Sequence, residues 1–270
     1  MERRTFIRNA GLAAGMIAAT PLITECKTTT DELPYTVMDL HVHNTDQFTM
    51  KDVMRLAAER NVKFGIVDHP AVWAIKNDAD MLAYIEKLRK FPVYAGLQPM
   101  ISGWEKNFSP EVLAKLDYIL MDPQTIPMGN GQYQRIWELE TYVDNTEEFM
   151  KRYMEHCLNI LNNEKINIFG WPLFLPVCIA RDYYTLWTEE RMQLIISAAR
   201  AKNIAIEIND MAHTPHEKFI LKAKQQGLKF TFGSDSRNNN AGRLVYCKEI
   251  AKTCNLTASD FYVPEMKNNV

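Results

Sequence analysis

The segment VMDLHVHNTD, Val37 to Asp46, ends an apolar run in Asp-Leu-His-Val-His. Residues two apart on a strand point to the same side, so His41 and His43 are expected to reach into one space. Two imidazoles aimed at one point suit a metal ion, which then needs further ligands from elsewhere in the chain. The ends of the other apolar runs supply candidates. Asp68 and His69 follow KFGIV, Gln98 follows VYAGL, and Asp122 and Gln124 follow DYILM. Trp171 follows INIFG, Asn209 and Asp210 follow IAIEI, and Asp235 and Arg237 follow TFGS. Histidine and aspartate are ligands for Zn, Fe or Mn, and a metal held by them makes water a nucleophile at neutral pH. His69 and Asp235, at neighbouring strand ends, are the candidate ligands to join His41 and His43. Asp68 or His69 is the candidate general base. Arg237 is the candidate grip for a phosphate or carboxylate, which a guanidinium binds bidentately.

These residues need a scaffold that brings strand ends together. A short apolar strand, a loop and an amphipathic helix recur beyond residue 34. The strands are expected at 36–40, 63–67, 93–97, 117–121, 166–169, 204–208 and 229–233. The helices are expected at about 50–61, 78–90, 109–115, 146–163, 188–202, 215–227 and 241–254. Ser109-Pro110 reads as a cap followed by proline at the first helical position, Thr214 to Glu217 as a capping box, and Gly227 as a helix stop. Solidly apolar strands suit a parallel sheet covered by helices. Seven such units without a break in composition predict an α/β fold with one closed or nearly closed barrel, and a doubly wound open sheet is the alternative. No glycine-rich phosphate loop follows a strand, which argues against a dinucleotide site. Two long loops, 122–145 and 171–187, leave strand C-termini, where barrel active sites are built. The aromatic residues Trp73, Trp104, Trp171, Tyr183, Tyr184 and Trp187 lie in or near loops on this side, and are expected to close a core rather than to wall a ligand.

The whole chain has 270 residues, 47% hydrophobic and 24% charged, with formal net charge -2. No basic block of nucleic-acid-binding type is present, so no nucleic-acid partner is expected. Five cysteines form no CxxC pair and are expected to be free and mostly buried. Residues 1–30 read as an export signal and linker, and 31–270 as the barrel domain. Arg3-Arg4-Thr5-Phe6-Ile7-Arg8 resembles the twin-arginine signal, which implies export to the periplasm and no stable membrane span after signal removal. Cys26 follows a stretch resembling a lipoprotein box, except that Glu25 stands where a small residue is required.

The stretches DLHVHN, FGIVDHP, INIFGWP, IEIND and TFGSDSRN, in that order, resemble the PHP (polymerase and histidinol phosphatase) domain family over most of residues 35–262. The resemblance implies a distorted (βα)7 TIM-like barrel, and active members hydrolyse phosphate esters with a cluster of up to three metals. His41, His43, His69 and Asp235 match its ligand motifs, and Glu207 and Asn209 match the supporting E-I-N strand end. Gln98 replaces a metal-bridging Glu, Gln124 and Trp171 replace histidines, and Arg237 replaces the His of G-S-D-A-H. These changes remove most of a second and third site, so one divalent ion is expected, on His41, His43 and Asp235, with Gln98 as a neutral fourth and His69 nearby. The functional expectation is an exported, metal-dependent, phosphoesterase-like hydrolase of a small anionic substrate. The alternatives are an inactive PHP-like domain binding an anionic ligand, and a hydrolase of amidohydrolase type, whose barrels also open with HxH.

Overall fold

The computed structural model describes residues 33–129 and 131–267, so the expected export signal and Cys26 lie outside the described residues. The chain runs β1 (Val37–Val42), α1 (Met50–Arg60), β2 (Val62–Ile66), α2 (Asp78–Leu88), β3 (Tyr94–Leu97), α3 (Pro110–Leu113) and β4 (Tyr118–Met121). A hairpin follows, β5 (Thr125–Gly129) and β6 (Gln132–Arg135), then α4 (Thr146–Asn163) and β7 (Ile168–Phe169). The chain ends with α5 (Tyr183–Leu186), α6 (Glu189–Ala201), β8 (Ala205–Asn209), α7 (Glu217–Gln225), β9 (Phe230–Gly233) and α8 (Val245–Thr253). The barrel order is β1-β2-β3-β4-β7-β8-β9, all parallel, and pairing of Asp39 with Phe232 closes β9 onto β1. Closure excludes the open-sheet alternative, and each of the seven expected strands is a barrel strand.

Local chemistry explains several boundaries. Asn61 alone separates α1 from β2, with φ 52°, a left-handed turn that Asn tolerates. Ser109 accepts from the Val112 amide ahead of Pro110, as expected. α4 buries Phe149, Met150, Tyr153, Cys157, Ile160 and Leu161, a helical stripe that joins the main hydrophobic core. The expected box at Thr214 to Glu217 does not form: the N-cap of α7 is His216, whose side chain caps nothing. Thr214 instead uses its carbonyl to accept from the Asn209 amide, so its backbone extends the turn after β8. The long 122–145 connection is not a plain loop, because β5 and β6 pair within it. Cys157, Cys247 and Cys254 are buried and Cys178 is exposed, all four free. Among the described residues no helix is long and apolar enough to cross a membrane.

Met38, Leu40, Tyr94, Tyr118, Leu120, Ile168 and Ala205, from β1, β3, β4, β7 and β8, form one cluster that fills the barrel. Tyr118 crosses it and donates its hydroxyl to the Leu40 carbonyl at 2.7 Å. A Cβ at Gly65 or Gly96 would come 2.3 Å from this ring, so small residues on β2 and β3 make room for it. The larger layer lies with the helices and includes Val37 and Val42 of β1. Strict alternation would place Val42 with Met38 and Leu40. It does not, because β1 advances three residues from Asp39 to Val42 while β2 advances two from Phe64 to Ile66. This bulge inserts one residue and switches the parity of β1. His41 and His43 thereby face the barrel mouth above Leu40, while Asp39 braces the chain beyond β9.

Candidate metal centre

Three side chains from opposite ends of the barrel sequence meet at the mouth. The coordinating atoms of His41, His43 and Asp235, all buried, lie within 4.8 Å of one another. Oδ1 of Asp235 is 3.4 Å from His41 Nε2 and 3.1 Å from His43 Nε2. Neither Nε2 has a hydrogen-bond partner. Two orphaned, buried imidazole nitrogens facing one carboxylate are a donor set that could hold a metal ion.

The surrounding shell fixes this geometry. Glu207, wholly buried on β8, holds His41 Nδ1 at 2.7 Å through Oε1. A carboxylate only accepts, so the Nδ1 proton faces Glu207 and Nε2 is left to coordinate. Its second oxygen accepts from the Trp171 amide at 2.7 Å and from Asn209 Nδ2 at 3.1 Å. Gly233 passes so close that a Cβ there would sit 1.9 Å from Glu207 Oε1. Asp235 itself has φ 46°, in the left-handed region that Asp tolerates better than most residues. That turn is pinned on both sides: Ser234 donates its amide to Asp39 Oδ1 at 2.9 Å, and His43 donates its amide to the Ser236 carbonyl at 3.0 Å. Asp39 also accepts from the Gly242 amide at 2.8 Å, yet burial outweighs these donors and pushes its carboxyl up to about 6.

Charge is balanced within the cluster. Burial acts to lower His41, but the Asp235 and Glu207 carboxylates overturn it and hold the imidazole at about 9. Burial lowers His43 to about 3, against the opposing pull of Asp235. Burial would raise Asp235, yet His41, His43 and Arg237 hold it well below the usual carboxylate range. A proton on His41 therefore supplies positive charge in this pocket, and a metal ion has to displace it to bind.

The remaining expected residues sit around this core in different roles. His69 stands beside His43, ring centres 5.1 Å apart, with Nδ1 on the Gln98 carbonyl at 2.9 Å. It is a neighbour of the three-ligand group rather than part of it. Gln98 donates Nε2 to Asp122 Oδ2 at 2.8 Å, which leaves its buried Oε1 without a partner. Asp122, pushed upward by burial, also accepts from the Gln124 amide at 3.0 Å. Asp68 turns Oδ1 onto the amide of His69 at 2.7 Å. Arg237 donates to Asp235 Oδ1 at 2.8 Å, touching the expected ligand directly. Trp171 is buried edge-on to Phe174, and Trp104 and Trp187 are buried too, as expected of core residues. Trp73 and Tyr184 are exposed, against that expectation. His213 is outside the centre, stacked on Tyr246 at 4.7 Å.

Sequence reasoning missed the brace at Asp39, the Asp122 partner of Gln98 and the use of the Trp171 amide. The signal for a buried network was an acid at Glu207 within IAIEI, since a carboxylate in an apolar strand needs partners. Compared with protein-family models and with curated proteins, the chain matches none.

Proposed function

We propose that this protein is an exported, metal-dependent hydrolase of PHP type, with one divalent ion and a small phosphate ester as substrate. The observation that carries the reading is the pair of buried, unpartnered Nε2 atoms of His41 and His43 converging on Asp235, with Glu207 setting the proton of His41. An ion held there would polarise the scissile phosphoryl group and supply a nucleophile at neutral pH. The chain's own residues divide the remaining work. His69, with Nδ1 engaged by the Gln98 carbonyl, leaves Nε2 to move a proton. Asp68, tied to the His69 amide, positions that turn. Arg237 uses one nitrogen on Asp235 and keeps further donors for an anionic group.

A second reading is favoured by the same arginine. Its contact with Asp235 Oδ1, together with a protonated His41, balances the cluster without a cation, as suits a non-catalytic domain that binds an anion. Elemental analysis separates the two. The hydrolase reading expects metal to co-purify or to be taken up on titration. Less than roughly 0.1 metal per chain with no uptake would overturn it, since an intact donor set binds far more tightly. A phosphoester panel with added Zn, Mn or Fe then reads the chemistry.

A further inference from the structure

One cavity is lined by Asp235 of the ligand group and another by its neighbour His69, and their linings differ in kind. His69, whose ring lies 5.1 Å from His43, is part of the wall of a cavity of about 470 Å³. The rest of that wall is mostly apolar, with Val72, Trp73, Met100, Ile101 and Trp104, and also includes Lys76. Trp73 is 72% exposed and Val72 80% exposed, although both are large hydrophobic residues. The second cavity, about 320 Å³, adjoins the group at Asp235 and carries Arg237, Arg243, Asn238 and Asn240. Asp210 also borders it, with Oδ1 accepting from the Cys247 amide at 3.2 Å.

We propose that the site takes an amphiphilic small molecule, an anion attached to a flat apolar group such as an aryl ring. The anionic end would lie in the Arg237 and Arg243 cavity, and the ring would lie against Trp73 in the apolar one. Four observations favour this occupant. The apolar cavity includes His69, whose ring lies 5.1 Å from that of His43, so it flanks the ligand group. Its volume suits a small-molecule body, within the range of roughly 300–1,000 Å³ usual for such pockets. An exposed indole offers a face on which a planar ring stacks, and both surfaces leave water when it does. Guanidinium groups on the other flank supply the charge that an anion requires. This specificity rests on the site assigned above, but it does not require turnover.

The test is calorimetric binding of phenylphosphonate and methylphosphonate to the purified protein, with metal content measured on the same samples. Phenylphosphonate is expected to bind at least about tenfold more tightly, a difference of 1.4 kcal/mol. Trp73→Ala is expected to collapse that ratio to below about threefold, and Arg243→Ala to weaken both ligands while preserving the ratio. Equal affinities in the wild type, an undiminished ratio in Trp73→Ala, or binding of neither phosphonate would overturn the proposal. Metal retention with equal affinities refutes this specificity alone, whereas a phenyl preference without metal refutes the hydrolase reading alone.

Discussion

Glu207→Gln tests whether the buried network exists to present His41 to a metal. The side chain keeps its size but exchanges one acceptor oxygen for an NH2 donor. Two donors, the Trp171 amide and Asn209 Nδ2, already face Oε2, so the amide oxygen must take that place. The new NH2 then faces His41 Nδ1, which was bonded to Oε1 at 2.7 Å. To pair with it, Nδ1 must accept, and the proton moves to Nε2, the nitrogen a metal needs. Restoring the coordinating tautomer sets two donors against each other and forfeits a hydrogen bond to a charged group, about 1.5–3 kcal/mol. That corresponds to roughly 10- to 100-fold weaker metal binding, the usual effect of losing such an outer partner. The assay is competition for Zn²⁺ against a chromophoric chelator, with His41→Ala as the variant that lacks the ligand and circular dichroism as the check on folding. If folded Glu207→Gln binds within about threefold of wild type while His41→Ala has lost the metal, the tautomer argument is wrong.

Gly233→Ala places a Cβ 1.9 Å from Glu207 Oε1 and 2.8 Å from the His41 Cβ, so it should cost about 1–3 kcal/mol of stability and abolish metal binding. Chemical denaturation with metal titration checks both, and a stable variant that still binds metal would contradict the packing described. Arg89 holds buried Asp117 bidentately at 2.6 and 2.7 Å, below the barrel and away from the site. Arg89→Ala should therefore destabilise by about 3–5 kcal/mol by leaving that carboxylate unpaired, read as a lower urea midpoint. His156 is buried on α4 and burial lowers it from 6.5 to about 4, so the unfolded chain takes up its proton first as pH falls. Its stability contribution is intact above pH 6.5 and is lost between pH 6.5 and 4, by about 3 kcal/mol. His156→Phe should flatten that part of the stability-pH profile, and an unchanged slope would refute the assignment.

The sequence by itself determined the scaffold and most of the ligand types. Solid apolar runs such as KFGIV and DYILM, spaced by amphipathic helices, have few ways to bury both faces, and a parallel barrel is one of them. Histidine and aspartate at strand ends then converge because a closed barrel brings all those ends to one rim. The hairpin within the 122–145 connection is not legible in the sequence, because its strands carry little apolar periodicity and Gln132 to Arg135 has none.

Tertiary structure decided which residues touch and with which atoms. Alternation alone correctly made His41 and His43 share a side, but not which side. That depended on one extra residue in β1 opposite β2, a feature of pairing between strands. The partners of Glu207 come from β1, β8 and the turn after β7, and no local pattern encodes a 2.7 Å contact across 166 residues. Arg237 was legible as a charge at the mouth, yet its grip on Asp235 follows from the left-handed turn at Asp235, two residues earlier. Residue types are written in the chain. Whether an imidazole nitrogen is free for a metal depends on what its other nitrogen meets, and distant strands settle that only after the barrel has closed.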